Sequence, residues 1–297
     1  MSSDPQSFAI AAGTRPKSSP IGRALGRSVL YLLAIGFSLV FMIPFFWALS
    51  TSLKTPLETT IIPPTLLPEI PQWKNYVLVT QLTPFLFFVR NSVFLTLVNV
   101  IFGTFASATV AYGFARFRFP GRNLLFLLLL SRLMLPGEVT LIPQYVLFHY
   151  LGWLDTYLPL IVPHLLGGTA FGVFLMRQFF LTIPRDFDDA AKVDGANSLQ
   201  IFWDVVVPLS KPALAALAIF GFIGTWNDFF GPLIYLNTEE KMTLAVGLTW
   251  FQAVGFNFPK TGLLLAYALM MTLPIIVVFF CAQRYFIQGV VLSGIKG

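Results

Sequence analysis

The sequence predicts an all-α integral membrane protein, and three observations support this: its composition, its long apolar segments and the placement of its charges. Of the 297 residues, 56% are hydrophobic and only 11% are charged, and the mean hydropathy is +0.77. A soluble domain carries about 25% charged residues. Segments of about ten residues with alternating hydrophobicity, typical of membrane β-barrels, are absent from the sequence, so the spans are expected to be helices.

Six segments are long and apolar enough to cross a membrane as helices. A hydrocarbon core of about 30 Å needs roughly 20 apolar residues for each crossing. The candidates are residues 28–50, 93–115, 123–147, 157–176, 213–236 and 262–287. The sequence therefore predicts a six-helix transmembrane domain over residues 28–287.

The chain ahead of the first apolar segment is rich in Ser, Pro and Arg. Such a composition is typical of disorder, and residues 1–27 are predicted to be a disordered cytoplasmic segment. The following apolar run is longer than the roughly 7–15 apolar residues of a signal peptide and lacks a clean cleavage site. It is interpreted as the first membrane span.

Basic residues indicate the orientation of the spans, because cytoplasmic flanks are enriched in Lys and Arg. With the N-terminus inside, most of the 19 basic residues fall on the cytoplasmic side. The outer connections receive Lys54, Lys74, Arg90, Lys241 and Lys260. Both termini are therefore predicted to be cytoplasmic, and the net charge of +6 reflects topology rather than nucleic-acid binding.

The connection between the fourth and fifth spans, residues 185–212, is unusually polar. Asp186, Asp188 and Asp189 follow Pro184, which suits the first turn of a helix, where acidic side chains complement the helix dipole and Pro is tolerated. The spacing then predicts a short helix with one narrow face of mostly small residues, formed by Phe187, Ala190, Ala191 and Asp194.

A glycine and a second short helix complete this connection. Gly195 stands where a helix needs a left-handed C-terminal residue. Asn197 and Ser198 are both good N-caps, and Pro208 and Pro212 stop or redirect the helix that follows. One side of this second helix is predicted to carry Leu199, Phe202, Trp203 and Val206.

Two interpretations of the helix pair are open. It is either an amphipathic loop on the membrane surface or a knob that enters a groove of another protein. Surface helices usually have a basic polar face, whereas this segment is acidic and would be repelled by anionic lipid. The acidic rim favours the protein groove.

Several motifs resemble ABC importer inner-membrane permeases. The run Asp189-Ala-Ala-Lys-Val-Asp-Gly-Ala196 is similar to their EAA loop, with Asp189 where the family usually has Glu. Further runs resemble the carbohydrate-uptake subfamily, in particular the smaller permease subunit of the maltose transporter. These include GEVTLIPQY, FLMRQFFLTIP, GTWNDFFGPLIY and the C-terminal QRYFIQGVVLSGIKG.

The resemblance implies a type I ABC importer permease fold and a role for the 185–212 loop. In this family the glycine-bent helix pair seats in a cleft of a cytoplasmic ATPase and couples it to the membrane helices. The residues to which this ATPase-coupling role is carried over are Asp189, Ala190, Ala191, Asp194, Gly195, Ala196, Phe202 and Pro208. Residues 288–297 resemble the cytoplasmic tail that returns toward the ATPase.

The resemblance also implies partners and a location. These are a second permease subunit forming a heterodimer, an ATPase dimer, an extracytoplasmic solute-binding protein that meets the outer loops, a sugar substrate and membrane lipid. The location is the bacterial inner membrane, which the chain crosses several times. The function implied is uptake of a sugar, either an oligosaccharide or a glycoside, by alternating access.

The sequence contains no constellation for catalysis. A G-x-x-x-x-G-K-[ST] loop for nucleotide phosphates is missing, as is a G-x-S-x-G nucleophile motif. His149 and His164 lack Cys or paired carboxylates at metal-ligand spacing. We therefore expect a non-catalytic subunit without a cofactor or metal of its own, with ATP and Mg²⁺ bound by the partner ATPase.

Polar residues within spans are costly and point to function. Trp226, Asn227 and Asp228 are candidates for the solute path, where aromatic faces stack on sugar rings; hydrogen bonding between helices is the alternative. The second span has a small-residue side with Gly103 and Ser107, which would let another helix approach closely, either within this chain or from the second permease.

A different class of function remains as the alternative. An ion-coupled secondary transporter or channel subunit would need ion-coordinating or proton-relay groups in the membrane and often shows an internal repeat. The sequence shows no such repeat and few acidic residues in the spans. A membrane-embedded enzyme is disfavoured because no catalytic set is present.

Overall fold

The structure is a computed structural model that describes residues 20–253 and 260–294. Across the described residues the regular structure is helical and contains no strand. The α-helices are α1 Pro20–Ser52, α2 Lys74–Leu82, α3 Phe85–Arg116, α4 Arg122–Ser131, α5 Gly137–Tyr150, α6 Leu158–Leu165, α7 Ala170–Thr182, α8 Asp186–Val193, α9 Ser198–Gln200, α10 Val207–Leu209, α11 Lys211–Trp226, α12 Phe230–Tyr235, α13 Leu244–Ala253 and α14 Thr261–Gly294. A π-helical stretch, Ile201–Val206, joins α9 to α10.

The described part of the chain divides into two units, with the boundary between Leu49 and Ser50. Within the first, most of α1 is an apolar helix whose span Arg27–Ser52 has a mean hydropathy of 2.4. Helix α1 begins at Pro20, so the predicted disordered segment 1–27 overlaps its first turns, and residues 1–19 lie outside the described part of the chain. Helix α14 continues to Gly294, where a separate tail was predicted from residue 288, and residues 295–297 are not described.

The core of the second unit is built around α3. One buried cluster joins α3 to α7, the π-helical stretch and α11; a second joins it to α2, α11, α13 and α14; a third joins it to α5, α6 and α12. Helix α3 contributes Ala111 to the first cluster, Phe88 to the second and Leu95 to the third. All three side chains are almost wholly buried. One helix therefore packs against most of the unit along its whole length.

Four of the described helical segments are long and apolar enough to span a membrane. They are Arg27–Ser52, Phe85–Arg116, Leu158–Thr182 and Thr261–Gln283. A fifth is possible if Ser198–Leu209 and Lys211–Trp226, which meet at 80°, count as one broken span. All four correspond to predicted spans.

The third, fourth and fifth predicted spans are not continuous helices. The predicted span 157–176 is α6 followed by part of α7, with a break at residues 166–169. The predicted span 123–147 is α4 followed by α5, with a break at residues 132–136. Pro136 explains the break, because a proline disfavours helical conformation in the residue before it and lacks an amide donor. The predicted span 213–236 is α11, which ends at Trp226, followed by the short α12.

The small-residue side of α3 packs against helices of the same chain. A Cβ at Gly103 would lie 3.8 Å from Cβ of His164 on α6, and the Ser107 hydroxyl accepts a hydrogen bond from the Thr169 amide (3.1 Å). The backbone of Gly168, with φ +68°, lies directly against Ser107. At Gly103 and Ser107, the closely approaching helices therefore belong to this chain, which was one of the two alternatives that the sequence left open.

Candidate functional site

The 185–212 loop folds as a pair of short helices joined by a left-handed glycine. Helix α8 starts at Asp186 after Pro184, Gly195 has φ +86°, and α9 starts after the N-cap Asn197. The Asn197 side chain accepts hydrogen bonds from the amides of Leu199 and Gln200, and Gln200 accepts one from the Asn197 amide. This reciprocal capping box confirms the predicted start of the second helix.

The predicted coupling residues lie at different depths in this loop. Ala191 and Ala196 are half-buried and pack on the buried cluster that joins α3 to α7, the π-helical stretch and α11. Phe202 is buried within this cluster. The remaining members of the set are exposed: Asp189, Ala190, Asp194, Gly195 and Pro208. Lys192 donates a 2.9 Å hydrogen bond to Asp189, and this contact lowers the pKa of the Asp189 carboxyl.

The packed side of the second helix differs from the prediction at one position. Phe202 and Val206 are buried as predicted, but Leu199 is 67% exposed and Ile201 is buried instead. Trp203 is half-exposed and stacks on Phe105 of α3. The π-helical stretch Ile201–Val206 accounts for the difference, because its wider turn changes which side chains share a face compared with an α-helix.

A buried ion pair attaches α8 to α3. Arg116 Nε lies 2.9 Å from Asp188 Oδ2, and the two side chains are only 5% and 9% exposed. Both terminal guanidinium nitrogens of Arg116 also donate to the carbonyl of Ile183, each at 3.3 Å. The last residue of α3 therefore holds the backbone just before α8 and an acidic side chain within it.

Two further hydrogen bonds join the loop to the same end of α3. The Tyr112 hydroxyl donates to the carbonyl of Ser198 (3.1 Å), and Arg185 donates to the carbonyl of Ala115 (3.5 Å). Local spacing predicts Asp188 only as a first-turn acid of α8, and its pairing with Arg116 is not predicted. The sequence does contain one indication that Asp188 faces the core. It precedes Ala191 by three residues, so the two side chains share the packed face of α8.

The helix pair also exposes large apolar side chains. Phe187 is 50% exposed, Val193 88% and Leu199 67%. Asp189 and Asp194 lie beside them on exposed positions. We call Phe187, Val193 and Leu199 the apolar knob.

The three candidate path residues lie where α11 ends. Trp226 is buried, stacks on Phe222 at a ring-centroid distance of 5.5 Å, and donates from Nε1 to the carbonyl of Met271 on α14 (3.0 Å). This is the contact expected from the interhelical alternative. Asn227 is exposed and donates to the carbonyl of Ile223 in its own helix (2.9 Å).

Asp228 caps the next helix. Its carboxylate accepts a hydrogen bond from the amide of Gly231 (3.2 Å), in the first turn of α12. A Cβ at Gly231 would lie 2.6 Å from this carboxylate and 3.0 Å from Leu160, so one of these side chains would have to shift. Asp228 therefore stabilises the break between α11 and α12.

A cavity with a partly polar lining lies between α3, α6, α7 and α11. Its volume is about 270 Å³. The polar residues that line it are Asn99, Thr104, Ser107, His164, Thr169 and Thr225. Asn99 is not among the predicted site residues; its side chain donates to the carbonyl of Leu160 (3.0 Å).

At the other end of the unit, Asp155 joins two connections. Its carboxylate accepts hydrogen bonds from Lys241 Nζ (2.7 Å), the Thr238 hydroxyl (2.6 Å) and the amides of Thr238 and Asn237 (2.9 and 3.0 Å). These contacts, that with Lys241 foremost, lower the pKa of Asp155 below its ordinary range. The 151–157 connection is thereby attached to the 237–241 connection.

Comparison with known protein families identifies the chain. The model of the family described as "binding-protein-dependent transport system inner membrane component" matches residues 7–291. The chain belongs to this family. It is a membrane permease of the binding-protein-dependent type, which agrees with the resemblance seen in its motifs.

Relatives and a solved structure support this assignment. The chain is 38% identical over 208 residues to the arabinooligosaccharides transport system permease AraQ of Halalkalibacterium halodurans, covering 70% of this chain and 73% of the relative. It is 34% identical over 275 residues to AraQ of Bacillus subtilis, covering 91% and 96%. A chain of a bacterial ABC transporter that imports the acidic polysaccharide alginate superposes on this permease with a TM-score of 0.77 at 28% identity, covering 92% of this chain and 100% of that one.

Proposed function

We propose that this permease is one of two membrane subunits of an ATP-driven ABC importer for a sugar. The chain forms half of the translocation pathway and has no catalytic activity of its own. Relatives named for arabino-oligosaccharide transport and a structural neighbour from an alginate importer support an oligosaccharide or glycoside as the substrate.

The proposed topology has six crossings with both termini in the cytoplasm of a bacterial cell. Helices α4 and α5 form one broken crossing, and α11 and α12 form another. The contacts at the two ends of α3 support this, since Arg116 meets the 183–198 region whereas Asn91 meets residues 240 and 242. Loops predicted to lie on opposite sides of the membrane thus meet opposite ends of α3.

The 185–212 loop is the proposed docking element for the ATPase. The observation that carries this role is a contrast in burial within the loop: a buried ion pair holds α8 to α3, while the residues of the apolar knob are exposed. Ala190, Ala191 and Ala196 keep the element small, and Gly195 sets the bend. Asp189 and Asp194 lie at its rim, Phe202 holds it in the buried cluster around α3 and α7, and Pro208 lies exposed in α10, ahead of α11.

The proposed complex has four kinds of component besides the sugar. This permease pairs with a second permease, two ATPase subunits dock on the cytoplasmic side, and a solute-binding protein delivers the sugar outside. The ATPase subunits bind ATP and Mg²⁺, and closure of their dimer moves the helix pairs. Asn227 and Asp228 are the proposed contacts to the sugar path, because both lie at the break after α11 and Asn227 is exposed.

Co-purification tests the assembly. The tagged chain, extracted in mild detergent from its own cells, is expected to bring an ATPase and a second permease with it. Gly195→Asp should loosen the ATPase, because an L-residue at φ +86° strains the bend and adds a charge beside the knob. Gly121→Asp is the matched control, since Gly121 also has a positive φ (+77°) and open space around it.

An uptake assay separates the proposal from an ion-coupled carrier. Proteoliposomes containing the purified complex and its binding protein are supplied with labelled arabinotriose, maltotriose or an alginate trisaccharide. Internal ATP should drive uptake of one of these sugars, which is returned chemically unchanged. Uptake driven by an ion gradient without ATP, or a wild-type chain that purifies only with itself, would reject the importer.

A further inference from the structure

At its cytoplasmic-loop end, α3 is attached to α8 by a contact that excludes water. The Arg116 and Asp188 side chains are 5% and 9% exposed, whereas the neighbouring Lys192–Asp189 pair is 60% and 67% exposed. A buried charge that loses its partner is strongly destabilised, while an exposed pair contributes little. The Arg116–Asp188 contact therefore constrains the position of α8 relative to α3.

At its other end, α3 is attached to the segment that precedes α13. Asn91 Nδ2 donates to the carbonyls of Glu240 (2.7 Å) and Met242 (2.9 Å). The Ser92 hydroxyl accepts a hydrogen bond from the Leu244 amide (2.8 Å). Asn91 and Ser92 are both buried, so these bonds are not readily exchanged for water.

Between these attachments α3 is one uninterrupted helix. It has 32 residues and contains no proline. The rise of an α-helix places Asn91 and Arg116 about 38 Å apart along the axis. Because α3 takes part in all three buried clusters, it is supported by packing along its length.

We propose that α3 is a strut that links the ATPase-docking loop to residues 240–244 at the opposite end of the permease. Arg116 and Asp188 are positioning residues at one end, and Asn91 is a positioning residue at the other. The strut makes the position of the docking loop sensitive to the binding protein on the outer face. This inference rests on the proposed function.

The test measures ATP hydrolysis by the purified complex in proteoliposomes, with and without its binding protein. The binding protein is loaded with the sugar, among arabinotriose, maltotriose and an alginate trisaccharide, that stimulates the wild-type complex. Arg116→Gln and Asn91→Ala should each lower the stimulation by about two- to thirtyfold, the range for residues that carry coupling between sites. Basal hydrolysis should stay at the wild-type rate.

A double variant tests whether the two ends act through one element. If α3 carries the coupling, Arg116→Gln combined with Asn91→Ala should lower stimulation no more than the stronger single change. Independent losses that multiply would contradict a single strut. A purely structural role would instead lower basal hydrolysis and stimulation together.

Matched controls come from the same chain. Arg122→Gln removes an arginine that, like Arg116, donates to a backbone carbonyl at this end of α3, but to one outside the docking loop, that of Phe117 (3.2 Å), and it should leave stimulation unchanged. Asn75→Ala removes a buried asparagine that, like Asn91, donates to two carbonyls, those of Ser52 and Lys54, but lies outside α3. It should also leave stimulation unchanged.

The outcomes separate this inference from the proposed function. Wild-type stimulation in assembled Arg116→Gln and Asn91→Ala complexes would overturn the strut and leave the importer intact. A wild-type complex that no sugar-loaded binding protein stimulates would reject both. If Arg116→Gln does not assemble, Asn91→Ala carries the test alone, because it leaves the Arg116–Asp188 ion pair intact, and wild-type stimulation in that variant would overturn the strut.

Discussion

The hydroxyl of Ser107, in the middle of α3, accepts a 3.1 Å hydrogen bond from the amide of Thr169, the N-cap of α7. Gly168 precedes this residue with φ +68° and lies against Ser107. The contact joins the central helix to the break between α6 and α7, so a membrane span is interrupted where its freed backbone groups find a partner.

Gly168→Ala should destabilise the protein strongly. A methyl group there would overlap Ser107, and the positive φ is strained for any residue with a Cβ. We expect a loss of about 2 kcal/mol or more, measured as reversible unfolding in detergent. Gly167→Ala is the control, because nothing lies within 4 Å of its added methyl group; equal stability of the two variants would contradict the close approach.

Trp226→Phe distinguishes the two interpretations of this residue. The change removes the hydrogen bond to Met271 and keeps a ring that can stack on Phe222. We expect a loss of about 0.6–2 kcal/mol of stability with an unchanged KM for sugar uptake. A raised KM without loss of stability would instead place Trp226 in the sugar path.

Asn227→Ala should affect the KM for sugar uptake and not the stability of the fold. The side chain is exposed and its hydrogen bond is to its own helix, so stability should change by less than about 0.5 kcal/mol. If Asn227 contacts sugar hydroxyls, the KM for uptake should rise. An unchanged KM and unchanged turnover would remove Asn227 from the proposed path.

Val193→Asp should weaken ATPase binding without affecting the fold. Val193 is 88% exposed, so the folded permease tolerates a charge there, but a docking cleft filled by the apolar knob does not. The expected loss is about tenfold or more in ATPase affinity, as for residues at the centre of an interface. The exposed Asp204, on the same loop but outside the knob, provides the control Asp204→Asn; similar effects of both changes would argue against the knob as the docking surface.

Asp155→Asn should loosen the 237–241 connection, because the ion pair with Lys241 is lost. Hydrogen exchange at residues 237–241 should therefore increase, and Glu239→Gln should leave it unchanged.

The same contact has a defined pH dependence. The pKa of Asp155 is lowered in the folded protein, so its stabilisation is fully present above the unfolded pKa of about 3.9 and is lost as the pH falls below that value. Exchange at residues 237–241, corrected for its intrinsic rate, should be equal at pH 7 and pH 5. Faster corrected exchange at pH 5 would contradict the lowered pKa.

Local features of the sequence predicted much of the docking loop. The helix start after Pro184, the left-handed Gly195 and the Asn197 cap each depend on residues within a few positions, and all three are confirmed. The exposed Leu199 was misplaced, because the π-helical stretch that changes the face is set by packing against α3 and not by local spacing.

By itself, the sequence determined that the protein lies in a membrane, where its apolar helices are, and which residues cap and bend the 185–212 loop. Hydropathy and capping determine these features because they act over short stretches of chain. Only the tertiary structure decided which segments of the chain meet each end of α3. Arg116 on α3 and Asp188 on α8 are far apart in the chain, as are Asn91 and the carbonyl of Glu240, and both contacts form because packing brings these segments together. Their pairing depends on the arrangement of helices around α3, which no local pattern encodes.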